Sequence, residues 1–264
     1  MSKMITAGVD VGAKYAKAVI LKDGQVMARA KDLVGFDLLK SAAEVFEVAL
    51  KDAGLARSDI QKVVSTGMGR NTVVQKPPIN AEEAVSEVVS AAAGAYHVVP
   101  TARTVIDVGA EEGRGIKVEE GKVKDFVINE RCAAGAGTFI EAMARALEVK
   151  VEDMGPLSLK SVNTIPMNAP CCVFAESEVV SLIHSKISKE DISKAIHDAI
   201  AGRISSMVLR VGVEKDVVLI GGVALDPGFK QPLEKELKAN IIIPEYPEYV
   251  SALGAAVIAA SPAR

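Results

Sequence analysis

Two segments of this 264-residue chain echo each other at a fixed spacing, and that echo limits the fold more than any other feature. Ala7 to Val26 reads AGVDVGAKYAKAVILKDGQV, and Val105 to Val123 reads VIDVGAEEGRGIKVEEGKV. They superpose 97 positions apart, the spacing from Asp10 to Asp107. Asp10, Val11, Gly12, Ala13, Gly24 and Val26 meet identical residues at Asp107, Val108, Gly109, Ala110, Gly121 and Val123. Each copy predicts an apolar strand ending in Asp-Val-Gly, a short turn, a returning strand and a second turn. A chain carrying this unit twice predicts two duplicated halves, each with its own sheet, and its length suits two packed domains.

The rest of the chain alternates strand and helix patterns, which makes the class α/β. Helical periodicity runs over Phe36 to Gly54, and Val63 to Ser65 is short and β-like. Gly67 to Arg70 is a glycine turn, Ala81 to Ala95 is helical, and Thr104 to Ile106 enters the second copy. Helices are expected over Phe139 to Leu147, Phe174 to Ile187 and Ile192 to Val211. Val217 to Ile220 reads as a buried strand stopped by Gly221-Gly222. A helix around Gln231 to Lys238, a strand over Ile241 to Ile243 and a small-residue helix over Ser251 to Ala260 complete the chain. The boundary is expected near residue 100, giving halves 1–100 and 101–264, with the C-terminal helix crossing back to the first.

Composition removes several classes. Apolar residues make up 49% and charged residues 25%, the balance of a globular chain, while 4% aromatics and no Trp predict an aliphatic core. Lys plus Arg number 31 against 34 Asp plus Glu, so nothing marks a nucleic-acid binder. Asp10 and Gly12 interrupt the opening apolar run, and no later run approaches the roughly 18 residues of a membrane span. A cytoplasmic chain is expected. Three cysteines are too few for a disulfide framework and point instead to metal binding, reactivity or inert burial.

A duplicated Asp-Val-Gly at strand ends suits phosphate chemistry. Glycine lets backbone N–H groups approach an anion, and a neighbouring Asp holds Mg, usually through water. No glycine–four residues–glycine–lysine loop is present, so the grip differs from a P-loop. On these residues the chain resembles the actin-like (ribonuclease H-like) ATPase superfamily of sugar kinases, Hsp70 chaperones and actin. That resemblance implies two duplicated domains with a nucleotide cleft between them. Asp10 to Lys17 and Asp107 to Glu112 fall at the phosphate hairpins, and Gly221 to Ala224 at the adenosine turn.

Cys132 lies in NERCAAGAGTFIEAMARALEV and Cys171-Cys172 in APCCVFAESEVVSLI, each ahead of or at the start of an expected helix. Amides and macrodipole at a helix start favour thiolate, the form that ligates metal. A four-iron four-sulfur cluster takes four thiolates, and one chain offers three, two of them adjacent. A homodimer contributing Cys132 and one of the adjacent pair from each subunit completes the set.

TGMGRN, CAAGAGTFIEAMARALEV, CCVFAESEVVSLI, IGGVALDPG and SALGAAV together resemble a family: the ATP-dependent activators of (R)-2-hydroxyacyl-CoA dehydratases and the ATPase subunits of class I benzoyl-CoA reductase. The resemblance implies a homodimer, or a pair of like subunits, sharing one 4Fe-4S cluster. ATP hydrolysis would then drive single electrons from ferredoxin or flavodoxin into a CoA-thioester dehydratase or reductase. It puts the metal ligands at Cys132 and Cys171, leaving Cys172 as an extra thiol. Asp10 and Asp107 would organise Mg and the attacking water, with Glu111 where relatives carry Gln. Gly12, Ala13, Lys14, Lys17, Gly109, Ala110, Gly221, Gly222 and Val223 would shape the nucleotide site, with Tyr246 beside adenine. The chain departs from the activators at Ala13-Lys14, where they carry Ser and Thr, and at Gly109-Ala110-Glu111-Glu112, where they carry Gly-Gly-Gln-Asp. Lys14 either contacts phosphate or points outward. GAEEGRGIKV and ALDPG look more like the reductase ATPase subunits.

His97, His184 and His197 lack metal spacing and read as surface or capping residues. Glu176 and Glu178 read as a solvated helix face. Two rival functions fit the same superfold: a small-molecule kinase, which needs an acceptor pocket and a base, and a nucleotide-dependent assembly module, which needs no redox partner.

Overall fold

The computed structural model describes residues 4–129, 137–167 and 172–261. The chain divides into two compact units. The first is Met1–Ala102 with Val118–Val123 and Tyr249–Arg264, and the second is Arg103–Lys117 with Lys124–Glu248.

Unit one opens with β1 (Ile5–Val11), β2 (Tyr15–Lys22) and β3 (Gln25–Leu33). Every residue of β1 is buried, as suits a central strand covered on both faces. In α1 (Leu38–Ala53), Ala42, Val45, Phe46, Ala49 and Leu50 recur at three- and four-residue spacing and form the buried stripe. The Asp37 side chain caps its start by accepting from the Lys40 amide, and Gly54, at φ 68°, ends it by donating to the Leu50 and Lys51 carbonyls. β4 (Lys62–Thr66), β5 (Glu83–Ala84) and α2 (Glu87–Val98) follow. The sheet order is β3-β2-β1-β4-β5, with β4 parallel to β1 and β2 antiparallel to it.

Unit two repeats the plan. β6 (Thr104–Val108), β7 (Gly113–Glu119) and β8 (Lys122–Ile128) lead to α3 (Gly137–Ala146), α4 (Val151–Ser158), α5 (Cys172–His184) and α6 (Lys189–Val208). β9 (Val217–Ile220), α7 (Lys230–Leu237) and β10 (Ile241–Ile242) close the unit. The order is β10-β9-β6-β7-β8, with β9 parallel to β6 and β7 antiparallel to it. Its core is aliphatic with a few large fillers, among them Phe139, Met143, Met154 and Phe229. Each such side chain contributes about 1.5–3 kcal/mol on burial.

The last helix, α8 (Val250–Ala260), belongs to unit one, where the Thr6 hydroxyl donates to the Ala256 carbonyl at 2.9 Å. Its composition of Ala and Gly has a steric cause. A Cβ on Gly254 would stand 1.8 Å from the Ser90 carbonyl oxygen of α2, and one on Gly94 2.0 Å from that of Val250. The two helices therefore cross backbone to backbone.

Several elements differ from expectation: the strands β3, β5 and β8 were not anticipated, and two helices depart from the reading. The helix expected from Ala81 starts at Glu87, because Glu82 accepts from the Val63 amide at 2.6 Å and β5 first extends the sheet. The Ser86 hydroxyl then caps the start. The sequence reading missed α4, whose Gly155-Pro156 pair breaks the helical pattern. The Ser193 hydroxyl of α6 donates to the Met154 carbonyl at 2.6 Å and the Ser158 hydroxyl to Gly155 at 2.7 Å, so tertiary bonds hold what propensity does not. Among the described residues no helix is long and apolar enough to cross a membrane.

Candidate nucleotide site

In unit one the chain leaves β1 at Asp10-Val11, turns through Gly12, Ala13 and Lys14, and returns as β2. The Gly12 amide donates to the Tyr15 carbonyl at 3.1 Å, which closes the turn. Antiparallel register sets Asp10 opposite Lys17, and the Lys17 ammonium meets the Asp10 carboxylate at 2.9 Å. Parallel register sets Asp10 opposite Thr66 on β4. The next residue, Gly67, has φ 92°, and a Cβ there would stand 2.5 Å from Asp10 Oδ1 and 2.4 Å from the Val11 carbonyl oxygen. Only glycine fits both the left-handed backbone and the carboxylate. Lys14 Nζ lies 5.5 Å from the centre of the Tyr15 ring.

Unit two rebuilds this arrangement with different side chains. β6 ends at Asp107-Val108, and the Gly109 amide donates to the Glu112 carbonyl at 2.9 Å. Asp107 stands opposite Arg114 on β7 and Ile220 on β9. The Arg114 guanidinium donates to Asp107 at 3.0 Å and to Glu112 at 2.8 Å. Gly221 has φ 90°, and a Cβ there would stand 2.7 Å from Asp107 Oδ1 and 2.3 Å from the Val108 carbonyl oxygen. Gly67 and Gly221 are thus structural counterparts, and so are Lys17 and Arg114.

The surroundings of the second hairpin are specific. The first two amides of α3, on Gly137 and Thr138, donate to the carbonyls of Gly109 and Ala110, both at 2.9 Å. A Cβ on Gly137 would lie 3.3 Å from Val223 Cγ2, so the buried Val223 packs at the same helix start. Thr138 Oγ1 is buried and meets no hydrogen-bond partner among the described residues. Such an orphan at a helix N-terminus, against a glycine turn, fits a polar ligand group. Gly222 heads the 3-10 turn Gly222–Leu225, and a Cβ on it would meet nothing within 4 Å, which leaves its face open to a flat ligand. The Gly221 amide donates to the Pro247 carbonyl at 3.0 Å, so the segment bearing the exposed Tyr246 is tied to this turn. Glu111 is exposed at the hairpin tip, free to face solvent or a bound phosphate.

Asp10, Gly12, Ala13, Lys14 and Lys17 therefore gather in unit one, and Asp107, Gly109, Ala110, Glu111, Gly221, Gly222 and Val223 in unit two. Arg114 was not singled out from sequence, and Gly67 was read only as part of a glycine turn. The 97-residue spacing carries Lys17 onto Arg114, a signal hidden from a comparison of identical residues alone. Cys132 and Cys171 lie outside the described residues. In sequence Cys132 comes five residues before α3, and Cys171 immediately precedes α5. The described thiol, Cys172, is the half-buried first residue of α5. No group of three or more His, Cys, Asp or Glu side chains able to hold a metal occurs among the described residues.

Of the histidines, His97 and His184 are exposed in the last turns of α2 and α5. His197 is not a surface residue: it is 1% exposed inside α6 and bonded at both ring nitrogens. Glu176 is exposed and Glu178 half-buried on α5.

The chain is 39% identical to the (R)-2-hydroxyglutaryl-CoA dehydratase activating ATPase of Acidaminococcus fermentans, over 96% of each chain. It is 34% identical to a benzoyl-CoA reductase subunit of Thauera aromatica, over 96% of this chain and 92% of that one. The solved activator of the 2-hydroxyisocaproyl-CoA dehydratase from Clostridium difficile, with bound ADPNP, superposes with TM-score 0.90 at 38% identity, covering 97% of this chain and 94% of that one. The two sheets with their helices are the actin-like ATPase fold. Residues 7–259 match the model of the BadF/BadG/BcrA/BcrD ATPase family, and the chain, an ATP-binding ATPase, belongs to that family.

Proposed function

We propose that this ATPase delivers low-potential electrons, taken from ferredoxin or flavodoxin, to a partner enzyme acting on a CoA thioester, of the dehydratase or benzoyl-CoA reductase type. The single observation that carries the reading is the duplicated hairpin, with Asp, cation and positive-φ glycine in the same register in each half. The names of the relatives supply the class of partner.

In this reading Asp10 and Asp107 would hold a Mg ion, which would supply charge neutralisation at the phosphates, and Lys17 and Lys14 would offset phosphate charge. Gly12, Ala13, Gly109 and Ala110 shape the turns that the phosphates approach, and Gly222, Val223 and Tyr246 border the nucleoside. Glu111 orients the attacking water, and its own charge moderates the rate. Cys132 and Cys171 supply thiolates, and a second copy of the chain, or a like subunit, supplies two more. A 4Fe-4S cluster held there would give the pair a one-electron carrier of low potential. The donor set fits a shared cluster, since three thiols per chain complete four only across two chains.

Coupling runs through α3 in this account. Its first two amides are bonded to the Gly109 and Ala110 carbonyls, so a hairpin that shifts with the phosphates takes the helix start with it. Cys132 is five residues upstream of that helix. The test is iron and labile sulfide in an oxygen-free preparation: about four of each per dimer are expected, and Cys132→Ser should lose them. A folded wild-type protein without iron contradicts the reading.

A further inference from the structure

One buried ionisable pair has no part in the chemistry above. His197, on α6, is 1% exposed, and its Nδ1 lies 2.7 Å from the carbonyl oxygen of Ser193, one turn earlier. Its Nε2 lies 2.9 Å from Oδ2 of Asp226. A carbonyl only accepts, so Nδ1 carries a proton. Nε2 and a carboxylate oxygen at 2.9 Å then need a second proton between them, because a ring lone pair facing a carboxylate repels it.

Asp226 ends the turn headed by Gly222: its amide donates to the Val223 carbonyl at 3.0 Å. Its Oδ1 accepts from the Gly228 amide at 2.9 Å, and His197 is the anchor of Oδ2. Packing leaves the carboxylate no second position. A Cβ on Gly155 of α4 would stand 2.1 Å from Asp226 Oδ1, and one on Gly228 2.2 Å from Ser158 Oγ and 3.0 Å from His197 Nε2. Ionisable groups on the adjoining elements are otherwise engaged or exposed. On α6, Asp191 is bonded to Ser161 and Asn163, and Lys194 pairs with Asp198. Lys230 of α7 lies 3.7 Å from Glu234, and Glu152 and Asp153 of α4 are exposed. Among the described residues only Asp226 brings a charge to the ring.

We infer that the hydrogen-bonded pair of His197 and Asp226 is a latch that fixes the Gly221–Leu225 turn, so that nucleotide affinity weakens when the bond is lost. His197 is a positioning residue here, acting through Asp226 on the turn that borders the nucleoside. The inference rests on the nucleotide reading above, and the test separates the two. Mg-ADP affinity and the ATP KM of the anaerobic full chain are measured across the neutral pH range for wild type, His197→Gln and Asp226→Asn. In parallel, amide exchange of residues 221–229 is followed and corrected for its intrinsic pH dependence. Loss of a charge-assisted bond should weaken nucleotide binding about tenfold in either variant, seen in KM rather than kcat. Exchange of 221–229 should quicken in both variants. The double variant, whose two amides can bond each other, should recover part of the affinity. Variants that melt at lower temperature yet keep wild-type affinity and exchange at 221–229 overturn the latch. If wild type binds no nucleotide, the nucleotide reading fails, and the exchange measurement alone decides the latch.

Discussion

The two Asp-bearing hairpins share one register but differ in how they neutralise the carboxylate. In unit one Asp10 pairs with Lys17, whose side chain is 15% exposed. In unit two Asp107 shares Arg114 with Glu112, and the guanidinium is 8% exposed. An ammonium is a compact point charge, whereas a planar fork serves two carboxylates at once. Duplication preserved the backbone solution, down to the glycine pressed on each Asp. It left the electrostatic solution to diverge: one ammonium meets one acid in the first hairpin, and one guanidinium meets two acids in the second.

The largest effects should fall on turnover, and there the halves should behave alike. Asp10→Asn and Asp107→Asn should each lower kcat for ATP hydrolysis about 10²–10³-fold, read by phosphate release. A loss confined to one variant would mean that only one hairpin meets the phosphates. Stability should separate the halves. Arg114→Ala strands Asp107 and Glu112 together in a buried site, for about 3–5 kcal/mol in denaturant unfolding. Lys17→Ala leaves one buried carboxylate rather than two without its cation and should cost less, about 2–3 kcal/mol. Equal losses would break the distinction. Arg114→Lys sharpens it further, because a lysine cannot span both acids, and the variant should lie between Arg114→Ala and wild type.

The smallest effect is acid sensitivity, expected from unit two. Hydrogen bonds from Asn163 and Ser161 hold the Asp191 carboxyl below its ordinary value of 3.8, and Lys117 holds Glu214 below 4.5. A depressed carboxyl contributes stability that is fully present above its unfolded value and is lost as pH falls through its folded one. Melting temperature should therefore drop on acidification below about pH 4, and Asp191→Asn should flatten part of that drop. A slope unchanged by the substitution would remove Asp191 from the account.

Much of this was legible in the sequence for a physical reason. Strand ends that need Asp-Val-Gly tolerate few replacements, so Asp10 and Asp107 survive as identities across the repeat. Lys17 and Arg114 do the same work with different atoms, and identity matching passes over them. Gly67 and Gly221 correspond through parallel pairing to β1 and β6, a relation that only the sheets reveal. His197 looked like a surface residue because α6 is rich in charge. Yet Ser193, His197 and Ala201 recur every four residues on one buried stripe, and that spacing was readable. α4 stayed hidden because its stability comes from Ser193 and from packing rather than from its own Gly-Pro sequence.

The central claim is that ATP acting at the paired hairpins changes a shared iron–sulfur centre. Electron paramagnetic resonance of the dithionite-reduced, oxygen-free protein, with and without Mg-ATP, tests it most directly. The account predicts a reduced-cluster signal whose shape shifts with nucleotide, and the same signal unmoved by nucleotide in Asp107→Asn. A signal indifferent to ATP in wild type, or no iron signal at all from folded protein, would contradict it.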